Sequence, residues 1–463
     1  MNSRHFTLTR AVLLVGVGIL AGCSGSSGSN SSVAPTVAFS SPAMPVAINL
    51  GQSLKLTWTS ANASACTASA SSTFAGTFSG TQAASGSLVV APTAAGSVTY
   101  MLNCTGAGGS ASASSAPVTI NPSILSTLSK ITTIGSTVDP IEQGGNPYGL
   151  AIAPVTAGLI TAGDLVVCNF NDGATNTQGL GTTVMGLHPV AGATPYRIAQ
   201  SAQLQGCSSL GMFPDDSISA SAFSSRLVPL TTPAGAVTNP FSANTFNGPW
   251  SQAYAAAANG QAAALYVSNL SNGSIDRITL NGDAQTGFME IANGFCGAGV
   301  AGAVFAPAGL TYDPSIDTLY IVDTSSYSVV AFSNISAIGS DGIIVNGNCS
   351  GTAHTPTPVP TFSGPSASSA RVIASGGKLN APISAALLMD GNLVVSNGDI
   401  DGPPTTNLLF EISPAIGFVG APMQLDTGAA GGLFGLAAKT DSSGNQVIYF
   451  NDDNDNTVKA LSK

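Results

Sequence analysis

The chain has 463 residues, and only 7% of them are Asp, Glu, Lys or Arg, whereas a typical soluble protein carries about 25%. It contains 54 Gly and 27 Pro, and its net charge is −10. This acidic balance excludes a basic nucleic-acid-binding protein, and the charge-poor, Gly-rich composition is typical of a β-rich exported protein. The length allows two or three domains, each large enough for its own core.

The first 22 residues predict an export signal. Arg4 and Arg10 flank the charged start, and residues 11–20 form an apolar run that is too short to span a bilayer. The sequence LAGC at residues 20–23 ends this run and resembles the bacterial lipobox. The resemblance implies that the thiol of Cys23 receives a diacylglycerol and that the chain is cut just before this residue.

Residues 23–32 are rich in Ser, Gly and Asn, which is the composition of a flexible tether. Ser24 after the cysteine resembles lipoproteins that are sorted to the outer membrane, so we expect a lipid-anchored protein in the envelope of a Gram-negative bacterium. Loss of residues 1–22 removes two arginines and moves the net charge from −10 to −12. Because this charge disfavours adhesion to anionic lipids, the lipid and not a basic patch is expected to hold the protein at the membrane.

The cysteines that remain after Cys23 are even in number, which favours disulfides in an exported chain. They are Cys66, Cys104, Cys168, Cys207, Cys296 and Cys349. The sequence leaves their pairing open. We favour pairing between sequence neighbours (66–104, 168–207 and 296–349), because each bridge then stays within one domain or joins adjacent units. No CxxC spacing is present, so these residues are not expected to bind zinc.

Residues 33–122 predict a small β-sandwich. Leu54, Leu56 and Trp58 alternate with polar residues, and a second alternation covers 99–104. The segments LKLTWTSANASAC and VTYMLNCTGAGGSASAS resemble immunoglobulin-like modules of bacterial surface proteins. The resemblance implies a two-sheet sandwich with a 66–104 bridge, but Trp58 precedes the first cysteine, so antibody-style binding is not carried over. We expect this module to be a spacer. Direct binding of carbohydrate or protein is the alternative.

Residues 123–463 contain a repeat that predicts a six-bladed β-propeller. A strand of the form Leu-Val/Tyr-Val/Ile-x-Asn/Asp recurs at 165–169, 265–269, 319–323 and 393–397, with a degenerate copy at 447–451. A second run precedes each copy, at 146–152, 248–254, 306–312, 381–385 and 432–436. A degenerate copy at 207–222 lies in the long gap between the first two copies and brings the number of units to six. Each unit predicts a four-stranded blade, and residues 130–134 predict an outer strand that completes the last blade. The fold class is therefore all-β, a sandwich followed by a propeller.

The repeat resembles the NHL family, most closely in NPYGLAI with DLVVCN and in APAGLTY with TLYIVD. In that family an arginine usually follows the turn after the repeated strand, and this arginine is mostly missing here. The resemblance implies a platform for protein or RNA, and in some related families a lyase or lactonase. The acidic balance argues against RNA.

Histidines are too few for the zinc sites of the amidating lyases that resemble this fold. After loss of the export signal only His188 and His354 remain, and both are expected to be structural or exposed. No GxSxG, P-loop or HExxH motif is present.

Lactonase-like propellers, which the repeat also resembles, hold calcium or zinc in the axial channel through Glu, Asn and Asp. The channel-facing candidates here are Glu142, Asn146, Asn247 and Asn380. The acidic run at 451–456 contains Asp452, Asp453 and Asp455, but it lacks the Gly and Glu of an EF-hand loop, so we predict a hairpin turn. We therefore predict no cofactor, with calcium as the alternative.

Tyr148 and Trp250 stand beside the prolines that begin two of the runs, near the predicted channel mouth. Packing between blades is the favoured interpretation of both rings, and exposed rings that stack on a sugar or a peptide are the alternative. With Asn146, Asn247 and Asn380 they form the candidate ligand-binding set. The sequence favours a monomeric, non-catalytic binding or scaffolding head for an envelope protein or glycan. The competing hypothesis is a metal-assisted lactonase or lyase.

Overall fold

The structure, a computed structural model, describes residues 32–239, 241, 246–258, 260–297, 304–347, 349, 356–377, 379–398 and 407–463. The export signal, Cys23 and His354 lie outside the described residues. Regular structure in the described part is β-strand apart from short 3₁₀ helices at Leu125–Thr127, Ala202–Leu204, Ile335–Ala337 and Ala367–Ser369. Among the described residues, no helix has the length and apolar character needed to cross a bilayer.

The N-terminal module covers residues 33–122. Its strands are β1 (Thr36–Ser41), β2 (Val46–Asn49), β3 (Leu54–Ala61), β4 (Ala65–Ala70), β5 (Gly80–Gln82), β6 (Gly86–Val90), β7 (Gly96–Val98), β8 (Tyr100–Gly106), β9 (Gly109–Ser114) and β10 (Val118–Asn121). They form sheets with the strand orders β1-β3-β6, β2-β10-β7 and β5-β4-β8-β9.

The core of the module follows the predicted alternation. Leu56 and Trp58 point inward and are buried, whereas Lys55 and Thr59 on the same strand are exposed. Cys66 on β4 faces Cys104 on the neighbouring strand β8, and the two form a disulfide within one sheet. The assignment of this module to the immunoglobulin-like class stays a prediction.

The rest of the described chain forms six blades around a common axis. Strand β11 (Lys130–Ser136) comes first, followed in blade 1 by β12 (Gly145–Ile152), β13 (Leu165–Asn171), β14 (Thr183–Leu187) and β15 (Tyr196–Gln200). Blade 2 has β16 (Cys207–Met212), β17 (Ile218–Ala222), β18 (Leu230–Thr231) and β19 (Val237–Thr238). Blade 3 has β20 (Pro249–Ala255), β21 (Ala263–Asn269), β22 (Ser274–Asn281) and β23 (Ala284–Asn293).

Blade 4 holds an insertion before its last strand. Its strands are β24 (Pro307–Asp313), β25 (Thr318–Asp323) and β26 (Ser328–Ser333), the inserted β27 (Ile343–Asn346) and β28 (Thr361–Ser363), and β29 (Ala370–Ser375). Blade 5 has β30 (Pro382–Leu387), β31 (Leu393–Asn397), β32 (Leu408–Ser413) and β33 (Gly417–Gln424). Blade 6 has β34 (Leu433–Thr440), β35 (Gln446–Asp452) and β36 (Thr457–Ser462).

The blades close into a ring. The first, innermost strand of each blade contacts the innermost strands of both neighbouring blades, in the circular order β12, β16, β20, β24, β30 and β34. Strand β11 pairs antiparallel with β36 as the outer strand of blade 6, so that both ends of the propeller chain complete one sheet. The predicted propeller, its degenerate second blade and the closing outer strand are confirmed.

A small residue near the start of each inner strand lets these strands approach one another. We number the inner strands from position 1 at Pro147, Cys207, Pro249, Pro307, Pro382 and Leu433. Position 3 is then always Gly or Ser. A Cβ on Gly435 would lie 2.6 Å from the Tyr148 carbonyl oxygen of the next blade. Because the neighbouring backbone occupies this space, a larger side chain would force the two strands apart.

Two disulfides cross-link segments of the described part of the propeller. The Cys168–Cys207 bridge joins β13 of blade 1 to β16 of blade 2, and the Cys296–Cys349 bridge joins the segments that follow β23 and β27. Strand β27 pairs parallel with β23, so the insertion of blade 4 extends the sheet of blade 3. Together with the module's bridge, these pairs confirm the neighbour pairing favoured from the sequence.

The N-terminal module docks on blade 5 through the turn between β2 and β3. The amide of Asn49 donates to the Asp390 carboxylate (3.2 Å). The amide of Asn392 donates to the Leu50 carbonyl (3.2 Å), and Ser413 Oγ donates to the carbonyl of Gly51. Gly51 has φ +100°, and a Cβ there would lie 2.8 Å from the Asn392 amide nitrogen. The close approach therefore requires glycine.

Buried groups of blade 5 reinforce this joint. Glu411 is 1% exposed and accepts hydrogen bonds from the Leu125 backbone N–H (2.7 Å) and the Asn392 amide (2.7 Å). Val419 of β33 belongs to the hydrophobic core of the module. A cleft of about 330 Å³ beside the joint is lined by residues of the module and of the β34–β35 turn, including Asn121, Gly444 and Asn445. The module is therefore seated on the propeller at blades 5 and 6.

Closure of the ring by β11 can be tested with two isoleucines on this strand. Ile134 is 3% exposed and packs with Val458 of β36, whereas Ile131 is 42% exposed. We expect Ile134→Ala to lower the free energy of unfolding by about 2–4 kcal/mol. Ile131→Ala is the control and should change it by less than about 0.5 kcal/mol. Chemical denaturation of the propeller measures both, and equal effects would contradict a closing role for β11.

Candidate functional site

An aromatic cluster closes the axial channel at the end where the inner strands begin. Position 2 carries Tyr148, Trp250 and Phe434, and each is at most 5% exposed. The Tyr148 ring stacks on Phe434 (centroids 3.7 Å apart) and on Phe170 (4.3 Å), and Trp250 meets it edge-on at 5.8 Å. The same cluster includes apolar residues of blades 4 and 5. Because its members come from five blades, it crosses the axis and forms a floor.

Tyr148 and Trp250 pack between blades, as the favoured interpretation has it, and are not exposed at a channel mouth. The two side chains are 4% and 3% exposed. Their neighbouring prolines start the inner strands, so the rings point to the axis, where rings from several blades converge and pack. Both residues still line the cavity described next, as part of its floor.

A cavity of about 240 Å³ lies on this floor and opens at the other end of the axis. The residues at position 2 are all buried, whereas those at position 6 are all partly exposed. Position 6 is occupied by Ile152, Met212, Tyr254, Tyr312, Leu387 and Ala438. Among the described residues, the lining comes from all six blades and consists of uncharged side chains and backbone.

The walls of the cavity are strand edges. Each inner strand pairs only with the second strand of its own blade in the described sheets, so its other edge turns peptide N–H and C=O groups toward the axis. A few of these groups already have side-chain partners, such as the Ala385 carbonyl, which accepts from Thr311 Oγ1 (2.7 Å). The cavity thus presents neutral hydrogen-bond donors and acceptors above an aromatic floor.

Gln252 is the polar exception at position 4. Leu150, Leu210, Leu310 and Leu436 hold this position in four other blades. Gln252 is 5% exposed and lines the cavity, and its Oε1 accepts from Ser219 Oγ (2.6 Å). Its Nε2 has no hydrogen-bond partner among the described residues. Turning the amide over leaves the other terminal atom without a partner, so one hydrogen-bonding group stays free in either orientation.

Two tyrosines of neighbouring blades stand at the open end. Burial raises the pKa of Tyr254, and the negative charges of Asp283 and Asp215 raise it further. The Tyr312 hydroxyl donates to Asp317 (3.1 Å), and burial together with this carboxylate raises the pKa of Tyr312 to about 12. Both phenols therefore stay neutral at physiological pH and offer ring faces and hydroxyl groups to a ligand.

Asn146, Asn247 and Asn380 are not brought together and do not line the cavity. Asn146 lies at the start of β12, and Asn247 and Asn380 precede the inner strands of blades 3 and 5, all at the closed end. The backbone N–H of Asn247 donates to Asn269 Oδ1 and that of Asn380 to Asn397 Oδ1, both at 3.0 Å. The Asn at the end of the repeated second strand therefore ties down the loop of its own blade, which is a structural role.

Glu142 lies away from the axis as well. Its side chain is half-exposed, and its Oε1 is 3.8 Å from an Arg197 nitrogen that contacts Asp139 at 2.6 Å. Asn146 instead donates from its backbone to Asn456 (2.5 Å) and from its amide to Asn171 (3.0 Å). The two residues that the competing hypothesis offers as metal ligands are therefore engaged in other contacts.

The acidic run forms the predicted hairpin turn between β35 and β36. Lys459 Nζ contacts Asp452 at 2.6 Å and Asp455 at 2.8 Å, so one ammonium group already pairs with two of the carboxylates. Burial raises the pKa of Asp453 to about 7, and the charges of Asp452 and Asp426 add to this effect. Within the described residues no group of three or more His, Cys, Asp or Glu is suited to a metal ion. The donor set does not fit calcium.

His188 is partly exposed and structural, as predicted. Its Nδ1 lies 2.6 Å from Asp164 Oδ1, and the Tyr196 hydroxyl donates to the other oxygen of the same carboxylate (2.6 Å). His188 is 57% exposed. These contacts hold the hairpins of blade 1 together.

The sequence reasoning missed Gln252 and the tyrosines at the open end. The signal for Gln252 was available, because an alignment of the six repeats shows Gln where four other blades have Leu. Tyr254 and Tyr312 occupy the same repeat position, which was also readable. The repeats do not reveal which end of the channel is closed, because the floor is built by residues of separate blades.

Neither a protein-family model nor a curated protein matches the sequence. Among solved structures, the chain is similar to virginiamycin B lyase from Staphylococcus aureus, with 12% identity, a TM-score of 0.41 and coverage of 80% of this chain and 92% of that one. A gluconolactonase from Xanthomonas campestris has 13% identity, a TM-score of 0.45 and coverage of 72% and 89%. An auxiliary nutrient binding protein from Bacteroides ovatus has 11% identity, a TM-score of 0.41 and coverage of 93% and 98%. Such distant likenesses assign no function.

The raised pKa of Asp453 predicts a pH dependence of stability. Its folded pKa of about 7 exceeds the ordinary value of 3.8, so the folded chain holds this proton more tightly and loses stability as pH rises from 4 to 7. Asp453→Asn removes this loss of stability. We therefore expect the substitution to be more stabilising at pH 7.5 than at pH 4, by about 2–4 kcal/mol in the free energy of unfolding. Denaturation at both pH values measures the difference.

Asp441→Asn is the control of opposite sign. Backbone hydrogen bonds, mainly from Asn445, hold the pKa of Asp441 below its usual value. This carboxylate therefore stabilises the fold above pH 4. Asp441→Asn should lower the free energy of unfolding at pH 7.5 and leave it unchanged at low pH. A calcium-dependent rise in the melting temperature that disappears in Asp453→Asn would contradict the assignment of this turn as structural.

Proposed function

We propose that the protein is an envelope lipoprotein whose propeller is a monomeric, non-catalytic binding head, and that the axial cavity receives a sugar residue of an envelope glycan. The observation that carries the proposal is the lining of the cavity, which combines neutral strand edges with an aromatic floor. A hydroxyl-rich ligand exchanges hydrogen bonds to water for bonds to peptide groups, whereas a buried charge would lose its hydration without a counter-ion.

The size of the cavity favours a glycan over a protein as its occupant. About 240 Å³ corresponds to the space of about eight water molecules, which suits one sugar ring or the tip of a chain. A stable protein–protein interface buries about 800 Å² on each partner, which this cavity does not offer. The aromatic floor adds apolar surface against which the face of a sugar ring packs.

Gln252 supplies a directional contact for this ligand. Its amide lies in the seam between blades 2 and 3 with one hydrogen-bonding group unpaired, so a hydroxyl or carbonyl oxygen of a bound sugar would satisfy that group once the side chain turns toward the axis. Leucine occupies the same position in four other blades. Gln252→Leu therefore removes the amide and introduces a side chain that the fold already accommodates at this position.

Calorimetry of the mature full-length chain with maltotriose, cellotriose and N-acetylchitotriose tests the site. We expect at least one of these neutral trisaccharides to bind, and Gln252→Leu to weaken that binding about tenfold through loss of one hydrogen bond. Gln200→Leu, the same change at an exposed position of β15, is the control and should bind as the wild type does. Unchanged binding by Gln252→Leu would place the ligand outside the cavity.

The anchor is a separate part of the proposal. We expect wild-type protein to incorporate labelled palmitate and to sediment with outer membranes. Cys23→Ser should incorporate no label and remain in the soluble fraction, because a serine hydroxyl does not replace the thiol as lipid acceptor. Ser24→Ala leaves the lipobox cysteine intact and serves as the control. Labelled Cys23→Ser protein would overturn the lipoprotein assignment.

A further inference from the structure

We infer that the glycan held by the axial cavity continues into a second site, the cleft between the N-terminal module and blades 5 and 6, which we call the joint cleft. This inference rests on the proposed function and extends the ligand from one sugar residue to an oligosaccharide. Its evidence is the place of the joint cleft beside the open end of the cavity and the chemistry of its lining.

The joint cleft lies at the open end of the propeller, because its propeller side is formed by hairpins that follow inner strands. Met389 lies in the hairpin between β30 and β31, and Asn445 in that between β34 and β35. The inner strands of the same two blades also line the axial cavity, through Ala386 and Leu436 among others. Met389 is three residues after Ala386, which at about 3.3 Å per residue corresponds to about 10 Å. A short oligosaccharide spans this distance.

Carboxamide groups dominate the lining of the joint cleft. Its volume is about 330 Å³, compared with about 240 Å³ for the axial cavity. Among the described residues, the lining carries the carboxamides of Asn49, Asn121, Asn445 and Gln446, and Lys463 is its only charged side chain. A carboxamide offers both a donor and an acceptor, so it can pair with neighbouring hydroxyl groups of a sugar.

Apolar groups face the same space. Pro122, Ile124 and Met389 belong to the lining, and the Met389 side chain is 57% exposed. A sugar ring combines apolar C–H faces with hydroxyl groups at its edge. A surface on which a few polar groups stand among apolar ones therefore suits a sugar better than it suits an ion.

The polar groups of the joint cleft are ordered before a ligand arrives. The Asn121 amide donates to Asn49 Oδ1 (3.1 Å), the Asn49 amide donates to Asp390 (3.2 Å), and Lys463 Nζ donates to Asn445 Oδ1 (2.9 Å). An amide nitrogen carries two hydrogens and an ammonium nitrogen three, and these contacts use one at each donor. The other hydrogens can bind hydroxyl oxygens of a ligand without breaking the joint.

The joint cleft is shared between the two parts of the chain. Asn49 and Asn121 come from the module, whereas Asn445 and Gln446 come from blade 6. Clefts between domains are frequent ligand sites. The module would therefore contact carbohydrate directly, in addition to any role as a spacer.

The length of the oligosaccharide separates one site from two. We measure, by calorimetry with the mature full-length chain, the binding of the trimer and the hexamer of the malto-, cello- and N-acetylchito-oligosaccharides. In a series whose trimer binds, the hexamer should bind about tenfold more tightly, because its additional rings form hydrogen bonds in the joint cleft. Trimer and hexamer have the same number of chain ends, so a larger number of ends does not explain the gain.

Variants of the exposed Asn121 locate the gain. Asn121→Trp fills the joint cleft and should reduce the affinity for the hexamer to that for the trimer, without a change in trimer binding. Asn121→Ala removes only the amide and should lose part of the gain. Asn103→Trp, the same change at an exposed position of β8 outside the cleft, is the control and should keep the gain.

The outcomes distinguish this inference from the proposed function. Hexamers that bind no more tightly than trimers, or a gain that persists in Asn121→Trp, would overturn the inference and leave the proposed glycan site intact. Failure of every trimer and every hexamer to bind would overturn the proposed function itself.

Discussion

The close approach of six inner strands around one axis is the constraint on which the rest of the structure depends. Small residues at position 3 make it possible, because a Cβ at Gly149, Gly309 or Gly435 would lie 3.0 Å or less from the neighbouring inner strand. Once the strands are this close, side chains at position 2 meet at the axis and pack into the floor. Side chains at position 4 turn into the seams between blades, where leucine is the common residue. The cavity is the space that remains above the floor.

The same constraint separates neutral from charged groups. Charged side chains pointing at so narrow an axis would be desolvated and close to one another, which is costly for like charges. Aspartates of the repeats instead lie in the hairpins at the open end, where backbone N–H groups hold Asp215 and Asp313. Gln252 breaks the pattern of the seams by placing an uncharged polar group between blades 2 and 3. The local needs of folding thus produce a cavity with an uncharged lining and confine the aspartates to the hairpins.

Much of the fold was readable from the sequence, because its elements are local and repeated. The runs that end in Asn169, Asn269 and Asn397 alternate or cluster apolar residues within a few positions, so the strands, the blade count and the closing strand β11 could be predicted. The burial of Tyr148 could not, since its environment is built by Phe170, Trp250 and Phe434, which are contributed by separate blades. The partner of Gln252 is likewise 33 residues away in another blade. Contacts of this kind leave no periodic signal along the chain.

The joint between the module and blade 5 limits how a polymer can reach the cavity. Asn49 binds Asp390, and the module lies beside the β34–β35 turn, so it stands over the open end on the side of blades 5 and 6. The aromatic floor prevents a chain from threading through the channel. The glycan of the proposed function would therefore place a chain end or a short branch in the cavity. A site of this shape would admit chain termini and not chain interiors, so the number of sites on such a polymer would scale with its ends and not with its length.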